Sequence, residues 1–312
     1  MKIKNKIRNI YNFISSNKNI YFDRRYRISI LLYHRISPTI QFDPFNCVVT
    51  PQKFEQDINY LNNNYEIITP QQLLSQLKEN FIPKNNQILI TFDDGFFDNY
   101  LYAFPILKKY SISAVFSVLT NYIGKKYLPW DWQIINYINK NILSDEIKSY
   151  FKLKNNNKIQ NSQKIIFLLK YIDPNKRDKI ILKLFNNILD EKNNEEIMLS
   201  EENILEMNNS GMVFGSHGMS HTSLKNADKN LFDNEVLESK KKIENILNNK
   251  CEFFSFPFGS FDDFTSDQIN LLRSYDYRLI FTNIQGSNLL INDNLIKRII
   301  VDKTNNLKSL FF

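Results

Sequence analysis

The chain has 312 residues, of which 43% are hydrophobic and 23% charged, and this composition excludes an intrinsically disordered protein. The formal net charge of +7 favours anionic surroundings such as nucleic acid, acidic glycans or a phospholipid surface. No stretch approaches 18 consecutive apolar residues, so we expect no membrane-spanning helix. The two cysteines are too few for a disulfide framework, and they favour a reducing, cytoplasmic compartment.

A basic extension occupies residues 1–26, where the sequence contains "MKIKNKIRNI" and later "FDRRY". Two interpretations stay open: a solvated terminal segment, or weak peripheral contact with the inner face of a membrane. No apolar core and small-residue cleavage site follow, so we expect no secretory signal and a cytoplasmic location. Nucleic acid is not an expected partner, because no aromatic and basic recognition motif accompanies the charge.

Seven short apolar runs predict buried strands, and most of them are separated by helical patterns. This alternation predicts an α/β domain over residues 27–312, with parallel strands joined by crossover helices. A polar, helical segment at about 121–209 is predicted to be an insertion, because the strand pattern resumes after it. The predicted strands are 27–34, 87–92, 113–120, 211–216, 252–257, 277–283 and 296–301; helices are predicted at 51–64, 98–110 and 229–249.

Polar residues of chemical interest follow several of these runs. "QILITFDDG" places Asp93 and Asp94 directly after a strand, with Gly95 allowing a sharp turn. A surface Asp-Gly turn would explain the same letters. The apolar run before them indicates a buried position, where two adjacent carboxylates repel each other. In a closed α/β barrel, the carboxyl ends of the strands share one rim, so distant residues such as His34 and His217 would converge there.

Two of the three histidines, His217 and His221, lie in "GSHGMSHTSL", where glycine and serine predict a loop. They are either two unrelated loop histidines or two metal ligands. Two histidines and one carboxylate match an open zinc site with water in the remaining position. A metal would neutralise one of the two aspartates and leave the other free to take a proton from the water.

Three motifs in order, "TFDDG", "SHGMSH" and "FPFG", resemble the polysaccharide deacetylases, the NodB-homology or carbohydrate esterase family 4 group. The resemblance covers about residues 28–302, with 121–200 poorly matched. It implies a distorted (β/α)7 TIM-like barrel and a divalent metal, most commonly Zn²⁺. It also implies hydrolysis of N-acetyl or O-acetyl groups on sugars.

The resemblance also implies roles for single residues. Asp93 matches the general base, and "FSFPFG" matches a segment that the family usually writes as Arg-Pro-Pro-Tyr-Gly. Phe258, flanked by Pro257 and Gly259, replaces the tyrosine, and its backbone N–H would still serve an oxyanion. The residues that match the metal ligands are Asp94, His217 and His221.

Two departures from the family pattern concern the base and the acid. Ser255 stands where the family has the arginine that orients the base, and Arg298 is either its substitute or a surface arginine at a strand edge. No histidine follows His221. A circularly permuted branch, which includes poly-N-acetylglucosamine deacetylases, carries "YH" on its first strand. His34 in "LLYHRIS" is therefore the predicted general acid, and a buried histidine held by a backbone partner is the alternative.

The segment "LPWDWQII" contains both tryptophans. Trp130 is either an aromatic platform for a sugar ring or an anchor of the inserted helix, and Asp131 is a candidate substrate contact. We expect a metal-dependent deacetylase acting on an N-acetylated sugar or lipid-linked glycan in surface polysaccharide or lipopolysaccharide synthesis. A carbohydrate-binding protein that has lost turnover, or a hydrolase of a non-sugar amide, are the alternatives.

Overall fold

The computed structural model describes residues 26–39, 42–78, 81, 83–185, 188, 196–288, 295–304 and 307. The predicted basic extension therefore lies outside the described residues, except for Tyr26. Within these ranges, no helix combines the length and the apolar character needed to cross a bilayer.

Seven parallel strands, β1 and β5 to β10, close into a barrel, and three two-residue strands lie outside the ring. All the described strands in chain order are β1 (Ile28–Tyr33), β2 (Arg35–Ile36), β3 (Val48–Val49), β4 (Glu66–Ile67), β5 (Gln87–Phe92), β6 (Ala114–Val118), β7 (Val213–Ser216), β8 (Phe253–Ser255), β9 (Leu279–Gln285) and β10 (Leu295–Ile300).

The barrel order is β1-β10-β9-β8-β7-β6-β5, and β5 pairs back to β1 from Ile28↔Gln87 to Tyr33↔Phe92. Short β4 pairs with the start of β5, and β2 pairs with β3 apart from the barrel. The predicted seven-stranded α/β barrel and its seven strands are confirmed.

The strands are apolar on both faces because the barrel has an inner layer and an outer helical layer. β1 and β5 are buried at all six positions. Ile30 and Leu89 belong to one cluster, whereas their neighbours Leu31 and Ile90 pack in another with Phe54 of the first helix. The alternation of strand side chains therefore directs successive residues into two different cores.

Helices surround the barrel and also form a separate layer. They are α1 (Pro51–Asn64), α2 (Pro70–Lys78), α3 (Phe104–Lys109), α4 (Trp130–Lys140), α5 (Asp145–Tyr150), α6 (Lys158–Leu169), α7 (Pro174–Leu184), α8 (Glu201–Asn209), α9 (Lys229–Asp233), α10 (Ser239–Leu247) and α11 (Ser266–Ser274). A π-helical turn, Asn99–Ala103, precedes α3, and another, Asn234–Glu238, joins α9 to α10. A 3₁₀ turn lies at Thr120–Tyr122.

Local sequence fixes several helix starts. Thr50 caps α1 by accepting a hydrogen bond from the backbone N–H of Lys53 at 3.2 Å, and proline follows at the first helical position. Ser200 caps α8 by accepting a hydrogen bond from the backbone N–H of Asn203 at 3.2 Å, where a capping box usually has Glu or Gln at the position of Asn203. Asn203 takes that place, since its side chain accepts from the Ser200 backbone N–H at 2.9 Å.

Helices α4 to α7 lie between β6 and β7 and have a core of their own. Trp132 and Ile165 belong to this core, and so does Phe96, which follows the Asp93–Asp94–Gly95 turn. Because Phe96 lies just beyond the carboxyl end of β5, this helical layer packs against the rim of the barrel where the candidate site is found.

Candidate active site

Asp93 is fully buried and forms a bidentate ion pair with Arg298. The Nη1 of Arg298 donates to Oδ1 at 2.9 Å, and Nη2 donates to Oδ2 at 2.5 Å. Arg298 is itself completely buried, so the alternative of a surface arginine is excluded. Burial alone would raise the pKa of Asp93, but Arg298, with His217 and His34, lowers that pKa below its ordinary value. The carboxylate is therefore ionised and fixed in orientation.

The adjacent Asp94 faces a different partner set because its backbone is left-handed, with φ +74°. Asp93 continues the inward alternation of β5, whereas the turn at Asp94 directs the second carboxylate towards two imidazoles. Its Oδ1 lies 3.4 Å from His217 Nε2 and 3.7 Å from His221 Nε2. Gly95, with φ +82°, completes the turn.

Three side chains, those of Asp94, His217 and His221, form a cluster that fits a single metal ion, and this set of candidate ligands is the metal cluster. The candidate ligand atoms all lie within 4.8 Å of one another. Bonds of about 2.0–2.1 Å to a tetrahedral zinc ion would separate its ligand atoms by about 3.3 Å, close to the observed spacing. Asp94 Oδ1 is buried and, among the described residues, has no hydrogen-bond partner. A buried carboxylate oxygen without a partner is costly, and a cation would satisfy it.

The opposite nitrogen of each imidazole lies close to an oxygen atom, which leaves each Nε2 for a metal. His217 Nδ1 lies 2.9 Å from the backbone carbonyl oxygen of Ser255, and His221 Nδ1 lies 2.9 Å from Asp131 Oδ2. Such partners fix the tautomer and orientation of metal-binding histidines. The predicted candidate substrate contact Asp131 thus lies against the ring of His221.

Charge and burial compete at these groups. Burial lowers the pKa of His221, but Asp131 and Asp94 outweigh it and raise that pKa to about 9. Burial opposes ionisation of Asp94, yet His221 and His217 keep its pKa well below the ordinary value. The aspartate is therefore the anionic member of the cluster.

The loop that carries the two histidines is held by buried polar groups from outside it. Glu235 accepts from the backbone N–H groups of Met219 at 2.7 Å and Ser220 at 3.0 Å. Trp130 Nε1 donates to the carbonyl oxygen of His221 at 2.9 Å. Arg177 lies over the Trp130 ring, 4.5 Å from its centroid, and donates to Thr222 Oγ1 at 2.6 Å. The inserted helices therefore support the histidine loop directly.

Phe258 lies beside this cluster, again in a left-handed conformation with φ +61°. Its ring stacks on His221 with 4.5 Å between ring centroids. Gly259 N–H donates back to the Pro257 carbonyl at 2.7 Å. In the part of the chain that the structure describes, the backbone N–H of Phe258 has no hydrogen-bond partner. That donor is available to a ligand.

His34 follows β1 and lines the same cavity as the metal cluster. Its backbone carbonyl accepts from Asn99 Nδ2 at 2.8 Å, whereas its Nδ1 has no hydrogen-bond partner among the described residues. Burial lowers the pKa of His34, although Asp94 and Asp93 act in the opposite direction. Burial therefore disfavours the imidazolium form of His34, and the two carboxylates favour it.

The cavity has a volume of about 300 Å³ and lies between the barrel rim and the inserted helices. The rim contributes His34, the metal cluster and Phe258. The inserted helices contribute Trp132 and Ile135 from α4, and Ile166 and Lys170 from α6 and its end. Trp130 is fully buried, so its observed role is to hold the His221 loop.

Glu235, Arg177 and Lys170 belong to this site, and sequence reasoning did not select any of them. They lie in unremarkable helical patterns, and only the fold brings them to the histidine loop or the cavity. For Asp131 a signal did exist, because it lies between the two tryptophans.

A parallel barrel with a carboxylate and two histidines at its carboxyl rim defines a class of metal-binding α/β barrels. The family model for polysaccharide deacetylase matches residues 82–280, and the chain belongs to this family. Members of the family are hydrolases, and metal dependence is general among them. The resemblance seen in the three motifs is thereby confirmed.

Two curated proteins are similar in sequence. YxkH of Bacillus subtilis is 24% identical over 241 residues, which are 77% of this chain and 59% of that protein. The poly-β-1,6-N-acetyl-D-glucosamine N-deacetylase of Staphylococcus epidermidis is 29% identical over 140 residues, 41% of this chain and 45% of that protein. The chain thus spans 59% and 45% of the lengths of these two relatives.

Solved structures show the same fold. The deacetylase PplD of Streptococcus pyogenes, in complex with acetate, has a TM-score of 0.62 at 19% identity, over 92% of this chain and 99% of that one. IcaB from Ammonifex degensii has a TM-score of 0.60 at 20% identity, over 91% of this chain and 94% of that one.

Proposed function

We propose that this protein is a metal-dependent hydrolase that removes N-acetyl groups from a sugar or glycan precursor. The observation that carries the proposal is that two adjacent aspartates have different partners. Asp94 faces two imidazoles in a cluster of metal-ligand spacing, and Asp93 is held by Arg298 and stays outside that cluster. This is the arrangement that metal-assisted hydrolysis requires: a bound ion and a separate base.

The residues for the metal would be Asp94, His217 and His221, and we propose Zn²⁺ as the ion. When bound, a divalent ion supplies Lewis acidity, which polarises the acetyl carbonyl and lowers the pKa of water. Asp93 takes the proton from the attacking water. Before that transfer, Arg298 keeps the carboxylate ionised and oriented, since it binds both carboxylate oxygens.

Two further groups act on the substrate itself. The free N–H of Phe258 donates to the oxygen that becomes negative when water adds to the acetyl carbonyl. Its left-handed backbone, fixed by the Asn283 side chain at 2.8 Å from the Phe258 carbonyl, holds the donor in place before substrate arrives. His34, across the same cavity, acts in its protonated form: the imidazolium delivers a proton to the departing nitrogen and returns to the neutral imidazole, so that acetate and a free amine result.

The cavity and the relatives support the proposed substrate class. A volume of about 300 Å³ is at the lower end of the range for ligand sites and suits one sugar residue of a chain. One relative is named as acting on a β-1,6-linked N-acetylglucosamine polymer. We therefore propose an N-acetylated hexosamine residue within a glycan or glycan precursor, such as those of surface polysaccharide synthesis.

The direct test is acetate release from a pentamer of β-1,6-linked N-acetylglucosamine by the zinc-loaded protein. We expect Asp93→Asn to reduce turnover at least about hundredfold, because a general base contributes about 10²–10⁴-fold. The exposed Asp262→Asn is the matched control and should keep normal turnover.

Zinc content, measured by elemental analysis, should stay near one ion per chain in Asp93→Asn and fall in His217→Ala. Normal turnover by Asp93→Asn or by metal-stripped protein would contradict the proposed mechanism. Binding of the pentamer with no acetate release would instead favour a carbohydrate-binding protein.

A further inference from the structure

A buried ion pair lies in the cavity wall and has no part in the mechanism above. Lys170 directly follows α6 and is 7% exposed, and its Nζ lies 2.7 Å from Oδ1 of Asp263, which is fully buried. Both residues line the cavity that contains the metal cluster. Their two backbone segments come from the inserted layer and from the loop after β8, so the pair spans the cavity wall.

Stability alone is a weak reason for such a pair. Removing two charges from water costs several kcal/mol per ion, and a pair of apolar residues of similar volume is commonly as stable. Asp263 is otherwise satisfied, because its Oδ2 accepts from the backbone N–H of Ser260 at 3.0 Å and from Ser260 Oγ at 2.5 Å. The carboxylate therefore has a fixed position from which it holds the ammonium group.

The ammonium group of Lys170 keeps unused donors. It carries three N–H bonds, and Asp263 is its one carboxylate partner among the described residues. Three aromatic rings also lie beside the ammonium group, with Nζ 4.9 Å from the ring centroid of Phe258, 4.8 Å from that of Tyr171 and 5.4 Å from that of Phe167. These rings stabilise the charge but accept no conventional hydrogen bond. A ligand oxygen in the cavity would complete the set.

One ring separates this ammonium from the metal cluster. Phe258 stacks on His221 with 4.5 Å between centroids, and Lys170 Nζ lies 4.9 Å from the centroid of the same ring. The imidazole of His221 and the ammonium of Lys170 therefore contact the same ring, and both side chains line the same cavity of about 300 Å³.

We propose that Lys170, held by Asp263, is a substrate-binding residue that donates a hydrogen bond to a hydroxyl oxygen of the sugar whose acetamido group lies at the metal cluster. The charges favour a neutral group over an acidic one, because Asp263 already neutralises Lys170. This inference rests on the proposed function for the identity of the sugar, and it adds the group that would select a hydroxyl at one position of the ring.

The test measures binding, so that it is independent of turnover. Calorimetry gives the dissociation constant of the β-1,6-linked N-acetylglucosamine pentamer for the zinc-loaded chain in the Asp93→Asn background, in which the expected slow turnover preserves the probe. Adding Lys170→Met should weaken binding about ten- to hundredfold, the worth of a hydrogen bond from a charged donor. The matched control is Lys179→Met on α7, an exposed lysine away from the cavity, which should bind within twofold of the background.

Two further measurements separate recognition from damage to the fold. Zinc affinity should be unchanged in Lys170→Met, because the residue is not a ligand. If Lys170→Met does not fold with its buried aspartate unpaired, the double variant Lys170→Met with Asp263→Asn removes both charges and should show the same loss of binding.

Equal pentamer affinity with and without Lys170 would overturn the inference, and so would failure of the background protein to bind the pentamer. Displacement of the pentamer by millimolar phosphate that depends on Lys170 would reveal an anion site and would also overturn it. Absence of acetate release by the native chain, together with Lys170-dependent binding, would refute the proposed function and leave this inference standing.

Discussion

Three residues of the candidate site share an uncommon backbone conformation. Asp94, His221 and Phe258 have φ values of +74°, +53° and +61°. This region costs a non-glycine residue about 1–2 kcal/mol. In each case the strained residue's carbonyl accepts a hydrogen bond from a partner elsewhere in the fold: the donors are Leu119 N at 3.3 Å, Trp130 Nε1 at 2.9 Å and Asn283 Nδ2 at 2.8 Å. The surrounding fold thus offsets strain that aims the groups at one point.

The glycine after Asp94 gives the residue-scale prediction. An alanine Cβ at Gly95 would lie 2.9 Å from Val118 Cγ1, whereas at Gly124, also with positive φ, it would meet nothing within 4 Å. We expect Gly124→Ala to lower the free energy of unfolding by about 1–2 kcal/mol through backbone strain alone. Gly95→Ala should add about 1–3 kcal/mol from overpacking.

Urea unfolding of both variants measures the difference, and zinc titration of the folded fraction shows whether the Asp94 turn has moved. Equal destabilisation by the two substitutions would mean that β6 gives way freely at Val118, and that the turn is not sterically fixed.

At the scale of elements, the π-helical turn Asn234–Glu238 positions the histidine loop. Its Glu235 is 2% exposed and accepts from two successive backbone N–H groups and from Ser220 Oγ at 2.5 Å. A π turn widens the helix and is frequently found at functional sites. Here it turns a buried carboxylate towards the loop between the two candidate metal ligands.

We therefore expect Glu235→Gln to weaken zinc binding about ten- to hundredfold, as removal of an outer-shell partner typically does. The amide replaces a charged acceptor with a neutral one, so the loop loses its fixed shape before metal arrives. A chelator-competition titration gives the zinc dissociation constant. Glu238→Gln is the matched control, because Glu238 lies on the same turn with its side chain half exposed and paired to Lys241. Identical zinc affinities in the two variants would contradict this role.

The strands and helices differ in how well sequence patterns predict them. The seven barrel strands could be predicted because each contains a short apolar run, and β1 and β5 are buried at all six positions. Strands of two residues such as Glu66–Ile67 carry too little pattern to detect. The π turns were missed because one extra residue per turn barely alters helical periodicity. Individual helices of the insertion were not resolved, since its polar lysine- and asparagine-rich stretches hide where one helix ends.

The residues of the candidate site also differ in how well the sequence predicts them. Adjacent carboxylates after a strand and two histidines in a short loop are local signals, so Asp93, Asp94, His217 and His221 could be selected from sequence. For Arg298 the sequence left two interpretations open, a base-orienting residue or a surface arginine, because its partner is distant along the chain. Lys170 and Glu235 are common residue types in helical segments, and their positions depend on tertiary contacts that no local pattern encodes.

For the whole molecule, closure of the barrel and assembly of the site are one event. β1 pairs with both β5 and β10, so the ring closes between strands from the beginning and the end of the described domain. The candidate ligands follow β5 and β7, and the partner of Asp93 lies on β10. An unfolded chain therefore has no preformed site, and metal affinity should appear as stability of the folded state.

This coupling yields the last prediction. Free zinc at about 100 times its dissociation constant should raise the free energy of unfolding by about 2.7 kcal/mol, because zinc binds the folded state and not the unfolded one. Asp94→Asn should lose most of that increment, since it removes the anionic ligand. Urea unfolding with zinc and with chelator, compared within each variant, isolates the increment from any effect of the substitution itself. Asp262→Asn, exposed and outside the cluster, should retain it. An increment of the same size in Asp94→Asn would place the stabilising zinc elsewhere, and Asp94 would then be a buried carboxylate whose partner is a protonated histidine.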